Sequence, residues 1–270
     1  PTGALQRADE LAALDPGSAE VAARADGLRG EAYLQRAKEL RWGTDRDTHH
    51  RMLEQAREAF GRAVGTLRSD PASHLGLCRA WVGVVEMEAD AGSEPVASLA
   101  RAEEVCGLAT RVDPSQAGAL VELGYAHSTF AQFKLRRGND PAAYLDRAAE
   151  LAREASRVDP SSYEAVAIEG TSLMLRAEWQ YERPGASAKL LREAVAVFGR
   201  AQELDPGRPE AFHLQGNALL NLVDRQNALG EDPVSTVRAA LTAFEKALAL
   251  PEGRTRRTFN SLGVAYADLG

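Results

Sequence analysis

Residues 114–159 read PSQAGALVELGYAHSTFAQFKLRRGNDPAAYLDRAAELAREASRVD. Two apolar-periodic segments, Ala117–Lys134 and Ala142–Val158, lie between one Asp-Pro pair and the next, with Arg137-Gly138-Asn139-Asp140-Pro141 between them. Apolar residues returning every three to four positions predict amphipathic helices. Gly suits the left-handed residue that ends a helix, and an acid before Pro suits the start of the next. The stretch therefore reads as two antiparallel helices joined by a tight turn.

The same grammar returns every 46 residues. Ala63, Ala109, Ala155, Ala201 and Ala247 keep that interval, as do Ala56, Ala102, Ala148, Ala194 and Ala240. Between them Phe60, Cys106, Ala152, Phe198 and Phe244 hold one further slot. Small residues seven apart with a mostly apolar one between mark a helix face pressed against another helix. In the preceding helix Gly124, Gly170 and Gly216 keep the interval and Gly263 falls one residue late, while Asp113, Asp159 and Asp205 mark the boundary. A fixed period of this size is the signature of a solenoid.

Working outward, residues 1–16 read as an unpaired second helix, Leu5–Leu14, and 17–71 as an irregular long repeat, with 55 residues from Asp15 to Asp70. Its helices are expected over Ser18–Arg41 and about Thr48–Leu67, broken at Trp42-Gly43-Thr44-Asp45. Regular repeats follow at 72–114, 115–160, 161–206 and 207–251, and 252–270 holds an unpaired first helix, Thr258–Leu269. Gly92-Ser93-Glu94-Pro95 and Gly230-Glu231-Asp232-Pro233 repeat the internal turn, and Arg183-Pro184-Gly185 is read as its variant. Ser161 with Glu164 resembles a capping box. The unpaired ends and the opening Pro1 make a piece of a longer protein the expectation.

The net charge of -7 argues against a general nucleic-acid or anionic-membrane binder. No run of 18 apolar residues exists, and a cytoplasmic setting is the default. Cys78 and Cys106 cannot by themselves build a disulfide framework or metal cluster, and each fills a slot that other repeats give to Gly, Ala or Phe. They are expected to be small core residues rather than a redox pair. His49-His50, beside Asp45 and Asp47, are adjacent and so share no helix face; a solvated turn is expected rather than a metal site. His74, His127 and His213 recur at no single slot and have no nucleophile at readable spacing. No cofactor, metal or catalytic residue is assigned.

Leu123-Gly124-Tyr125-Ala126 and Leu262-Gly263-Val264-Ala265-Tyr266, with Ala194, Phe198, Ala201 and Pro206, resemble the tetratricopeptide (TPR) repeat over nearly the whole chain. That unit is about 34 residues, so each repeat here is longer by roughly 12, about six residues per helix. Glu169 and Gln215 also stand where the pattern favours Leu, expected either to snorkel past the core edge or to mark a slight helix rotation. Stretched units with Gly-acid-Pro turns look similar to the helical arrays that follow the catalytic domain in some bacterial serine/threonine kinases. No kinase motif is present in these 270 residues.

The resemblance implies an all-α, right-handed superhelical solenoid whose first helices line a concave peptide groove. Carried over by register, the groove holds Val121, Tyr125, Ser128, Thr129 and Gln132, then Thr171, Met174 and Glu178, then His213, Asn217, Leu220, Asn221 and Asp224, with Glu164, Leu175 and Glu210 beside them. The acids among them imply a protein or peptide partner of basic character, bound without turnover. Two alternatives stay open: self-association or a spacer role through the unpaired ends, and a regulatory or substrate-docking region of a kinase.

Overall fold

The computed structural model describes residues 2–40 and 45–269, and it is helical throughout: no strand occurs among the described residues. In order, the helices are α1 Thr2–Leu14, α2 Ala19–Leu40, α3 Arg46–Thr66, α4 Pro71–Asp90, α5 Val96–Val112, α6 Gly118–Arg136, α7 Ala142–Val158, α8 Tyr163–Trp179, α9 Pro184–Leu204, α10 Pro209–Leu229, α11 Val234–Ala249 and α12 Arg256–Ala267. The expected break at Trp42-Gly43-Thr44 lies outside the described residues, and the expected solvated turn at His49-His50 is instead inside α3. Asp45 explains the early start, because its carboxylate accepts from the Thr48 N–H at 3.0 Å and caps the helix there.

The chain divides into two compact units, Pro1–Phe133 and Lys134–Gly270. Within the first, α1 packs on α2, α2 on α3, α3 on α4 and α4 on α5. In the second, α7 to α12 pack in the same successive manner. Sequence neighbours are thus spatial neighbours, as a repeat chain requires.

Local signals set the helix ends. Gly92, Gly138 and Gly230 adopt φ of 81°, 69° and 71°, the left-handed region that a side chain would strain. The following acids act one residue earlier than the sequence suggests. Asp140 and Asp232 accept from the N–H groups of Ala142 and Val234, at 2.8 and 3.0 Å, so Pro141 and Pro233 are the caps and the helix begins after them. Asp113, Asp159 and Asp205 close α5, α7 and α9, each donating its backbone N–H to the carbonyl of Ala109, Ala155 or Ala201. The capping-box reading shifts by one residue: Ser162 caps α8 through Ala165 N–H, while Ser161 folds back onto Asp159. Likewise Arg183-Pro184-Gly185 is not the turn itself, since Pro184 is the first residue of α9.

The recurrent alanines are the inner seam. Ala56, Ala102, Ala148, Ala194 and Ala240 are fully buried, and so are Ala63, Ala155, Ala201 and Ala247. The slot between them meets the glycine of the first helix. A Cβ on Gly170 would fall 2.6 Å from the Phe198 ring, and one on Gly216 would fall 2.5 Å from Phe244. Phe60 is held from two sides, because a Cβ on Gly30 would lie 2.7 Å from its ring and one on Gly76 2.2 Å. Each ring is buried, worth roughly 1.5–3 kcal/mol against exposure.

Cys78 and Cys106 are buried at this slot as expected, but they are joined to each other, against the expectation that they are not a redox pair. Cys78 and Cys106 form a disulfide with Cα atoms 4.7 Å apart. Cys78 stands 46 residues before Gly124, and Cys106 stands where other repeats carry Phe. The 28-residue separation equals that of Gly170 from Phe198 and of Gly216 from Phe244. A covalent bridge between α4 and α5 therefore takes the place of the glycine–ring contact.

Candidate functional site

The expected groove residues divide by unit. On α6 of the first unit, Tyr125 and Gln132 are exposed, Val121 and Thr129 are half-buried, and Ser128 is buried. Tyr125 also lines a cavity of about 180 Å³, together with Lys38, Glu86 and Glu122; Arg79 holds Glu122 at 3.0 Å. A larger cavity of about 560 Å³ in this unit is lined by His49, His50, Asp47 and Asp90, and His49 borders both. His50 sits 3.7 Å from Glu54, one helical turn along, and no cluster suited to a metal ion occurs among the described residues.

The second unit brings residues of two groove rows together. Glu178 near the end of α8 and Asn221 and Asp224 on α10 line one cavity of about 320 Å³. Its wall is built from the helix ends: Ser187 of α9 donates to the Ala177 carbonyl at 2.8 Å, joining α9 to α8. Tyr181 and Arg225 complete it. Arg225 is only 5% exposed; its guanidinium lies 3.6 Å over the Tyr181 ring and donates to the Tyr181 carbonyl at 3.3 Å. Loss of water around Glu178 pushes its carboxyl above the ordinary carboxylate value.

Several other members of those rows face inward, whereas Glu164 is exposed. Met174 packs against the cluster of Ala194, Phe198 and Ala218, Leu220 packs against that of Leu219, Val223 and Phe244, and Thr171 is half-buried. His213 is buried with its ring 5.7 Å from that of Phe244, and burial pushes its pKa down to about 4, assisted by the positive charge of Arg257. Asn217 bridges His213 at 3.0 Å and accepts from Ser261 of α12 at 3.2 Å. Glu164 is held by Arg208 at 2.5 Å, and that guanidinium also covers the Tyr163 ring at 4.3 Å. The resemblance alone could not separate these inward residues from the exposed ones, since both occupy one helical stripe.

Glu169 and Gln215, which break the Leu preference, reach the neighbouring helix. Glu169 lies 3.5 Å from Arg200, and Gln215 donates to the Val195 carbonyl at 3.1 Å while accepting from Gln202 at 2.9 Å. Polar side chains thus replace apolar contact at the seam between α9 and its neighbours. Arg225 is the residue that the sequence reading missed. A charged side chain on a helix face carries no signal of its burial when the ring that shields it stands 44 residues earlier.

No family profile matches the sequence, and no curated protein matches it. Among solved structures it is similar to TTC0263, a thermophilic TPR protein of Thermus thermophilus, with a TM-score of 0.54 at 18% identity over 88% of this chain and 99% of that one. YrrB, a TPR protein with an unusual peptide-binding site, gives 0.42 at 18% identity over 85% and 89%. MamA gives 0.46 at 15% identity over 83% and 97%. The fold is that of TPR proteins, built from longer helix pairs. No helix among the described residues is long and apolar enough to cross a membrane.

Proposed function

We propose that this chain is a non-catalytic interaction scaffold that holds a polypeptide along the exposed edges of its first helices. One observation carries the reading: the second unit sets Glu178, Asn221 and Asp224, from two successive first helices, around a single open cavity. Acids and an amide side by side suit the donors of an extended chain with basic side chains. In the first unit Tyr125 and Gln132 offer an exposed aromatic and an amide two turns apart. The division of residues 1–270 into one array of repeats with the bounds given above is part of this proposal.

The test is capture of a partner, identified from cells, by the unaltered chain and by Tyr125→Ala/Gln132→Ala and Asn221→Ala/Asp224→Ala variants. Capture is expected to fall at least about ten-fold in one variant, the size of effect seen when contact residues are truncated. Undiminished capture by both would remove the groove from consideration.

A second reading, self-association, draws support from α12, where Phe259, Val264 and Tyr266 are each more than half exposed. Light scattering across a concentration series separates the two, because only assembly raises the mass. The extended helix pairs support a docking role beside a bacterial serine/threonine kinase, which would use the same groove. A cytoplasmic setting carries its own consequence: cytosolic thiols are kept reduced, so Cys78 and Cys106 would rest there as a dithiol.

A further inference from the structure

The Cys78 sulfur touches two helices. It is bonded to Cys106 of α5, and it lies 4.0 Å from the Ala119 carbonyl oxygen in the first turn of α6. The two cysteines are 0 and 1% exposed, so neither sulfur has open space beside it. Freed from the bond, the sulfurs would repel at their present separation and need about 3.5–4.0 Å between them, the usual distance of unbonded heavy atoms. In a filled slot that distance comes from moving a helix, and Cys78 has a direction to move in. As a thiol it becomes a donor, and the Ala119 carbonyl is the acceptor already beside it. Gly118 leaves the clearance: a Cβ there would fall 3.2 Å from Leu75 of α4, and glycine has none.

We propose that this pair is a redox switch. Oxidised, it ties α4 to α5; reduced, Cys78 donates to the Ala119 carbonyl and α4 closes on α6. The movement reaches the cavity of about 180 Å³ beside Tyr125, because its walls continue the same two helices. Arg79 and Val82 follow Cys78 on α4, while Glu122 and Tyr125 lie one and nearly two turns beyond Ala119 on α6. The Arg79–Glu122 pair, at 3.0 Å, joins those walls and carries the shift from one to the other. The step balances with a dithiol as reductant. Its two thiols give up two electrons and two protons and close to a disulfide, while the Cys78–Cys106 bond breaks and each sulfur takes one proton. A thiolate reaches so buried a bond only when the α4–α5 hairpin opens, so exchange without a catalyst is slow, over minutes to hours. The proposal stands apart from the groove reading: it concerns the shape of this cavity, whatever the cavity holds.

The experiment records backbone amide shifts of the whole isotopically labelled chain before and after dithiothreitol, with thiols titrated in denaturant in parallel. Two thiols should appear, and amides of residues 79–83 and 119–125 should move while those of α8 to α11 stay. Oxidised glutathione should return the first spectrum. Cys106→Ala keeps the donor and cannot form the bond, so it should hold the reduced positions of residues 119–125 without added reductant. Cys78→Ala lacks the donor and should not reach them. Shifts confined to the cysteines and their chain neighbours would make the bond a staple alone, and matching spectra of the two variants around Ala119 would remove the donor role. Loss of dispersed signals on reduction, or no thiol released after overnight treatment, would also overturn the switch.

Discussion

Gly76→Ala tests whether the glycine–ring contact governs helix spacing. The new Cβ would sit 2.2 Å from the Phe60 ring, and the ring has little room to retreat because Gly30 backs its other edge so closely that a Cβ there would fall at 2.7 Å. Methylenes forced into a filled core cost about 1–3 kcal/mol, against a gain of about 1 kcal/mol for replacing Gly by Ala inside a helix. Gly61→Ala, in the helix that carries Phe60, meets nothing within 4 Å and keeps only the gain. The two variants should therefore differ by about 1–3 kcal/mol, with Gly61→Ala the more stable. Urea unfolding followed by circular dichroism measures this, and Phe60→Leu completes a double-mutant cycle. Shortening the ring's reach should recover part of the loss, giving a coupling of about 1 kcal/mol or more between the two positions. If Gly76→Ala were as stable as Gly61→Ala, or the cycle closed at zero, the packing argument would fail.

Reducing the Cys78–Cys106 bond releases a 28-residue loop and should lower stability by roughly 3.5 kcal/mol on the loop-entropy scale. Thiol titration of the oxidised chain should find no free cysteine, and two free thiols would contradict the pairing. Ala148→Leu, at a fully buried seam position, should cost about 1–3 kcal/mol in thermal unfolding. Glu150→Leu on the exposed face of the same helix should cost little, and equal effects would mean the register is wrong. His213 gives a pH dependence of defined sign. Its folded pKa is pushed down from 6.5 to about 4, so the unfolded chain takes up the proton first, and stability should be lost as pH falls from 6.5 towards 4, by about 3 kcal/mol at most. His213→Gln should flatten that slope in a pH series of melts; an unchanged slope would assign it to other groups.

The seam was legible in the sequence because its cause is local and repeated. An alanine at 148 or 194 is small for the same reason each time, and Gly138 and Gly230 turn the chain in the same way. The disulfide was present as an unused signal: Cys78 occupies the glycine slot and Cys106 the ring slot, two positions that touch in other repeats. Composition spoke for inert thiols and the register spoke for contact. Asn217 could not be read as internally bonded, because its partner Ser261 belongs to the next first helix. For the same reason the cavity beside Asp224 depends on where Arg225 turns, which is fixed by Tyr181 just beyond the end of α8.

The bridge between α4 and α5 also sets how the chain would yield to a pull. Stretched from its two ends, every other helical hairpin can pay out its full length, but this one is tied across 28 residues. Roughly 95 Å of extended backbone would stay hidden from the applied force. A chemical reductant would restore that slack in a single step, making the tether the one part of the spring whose give is set by electrons instead of load.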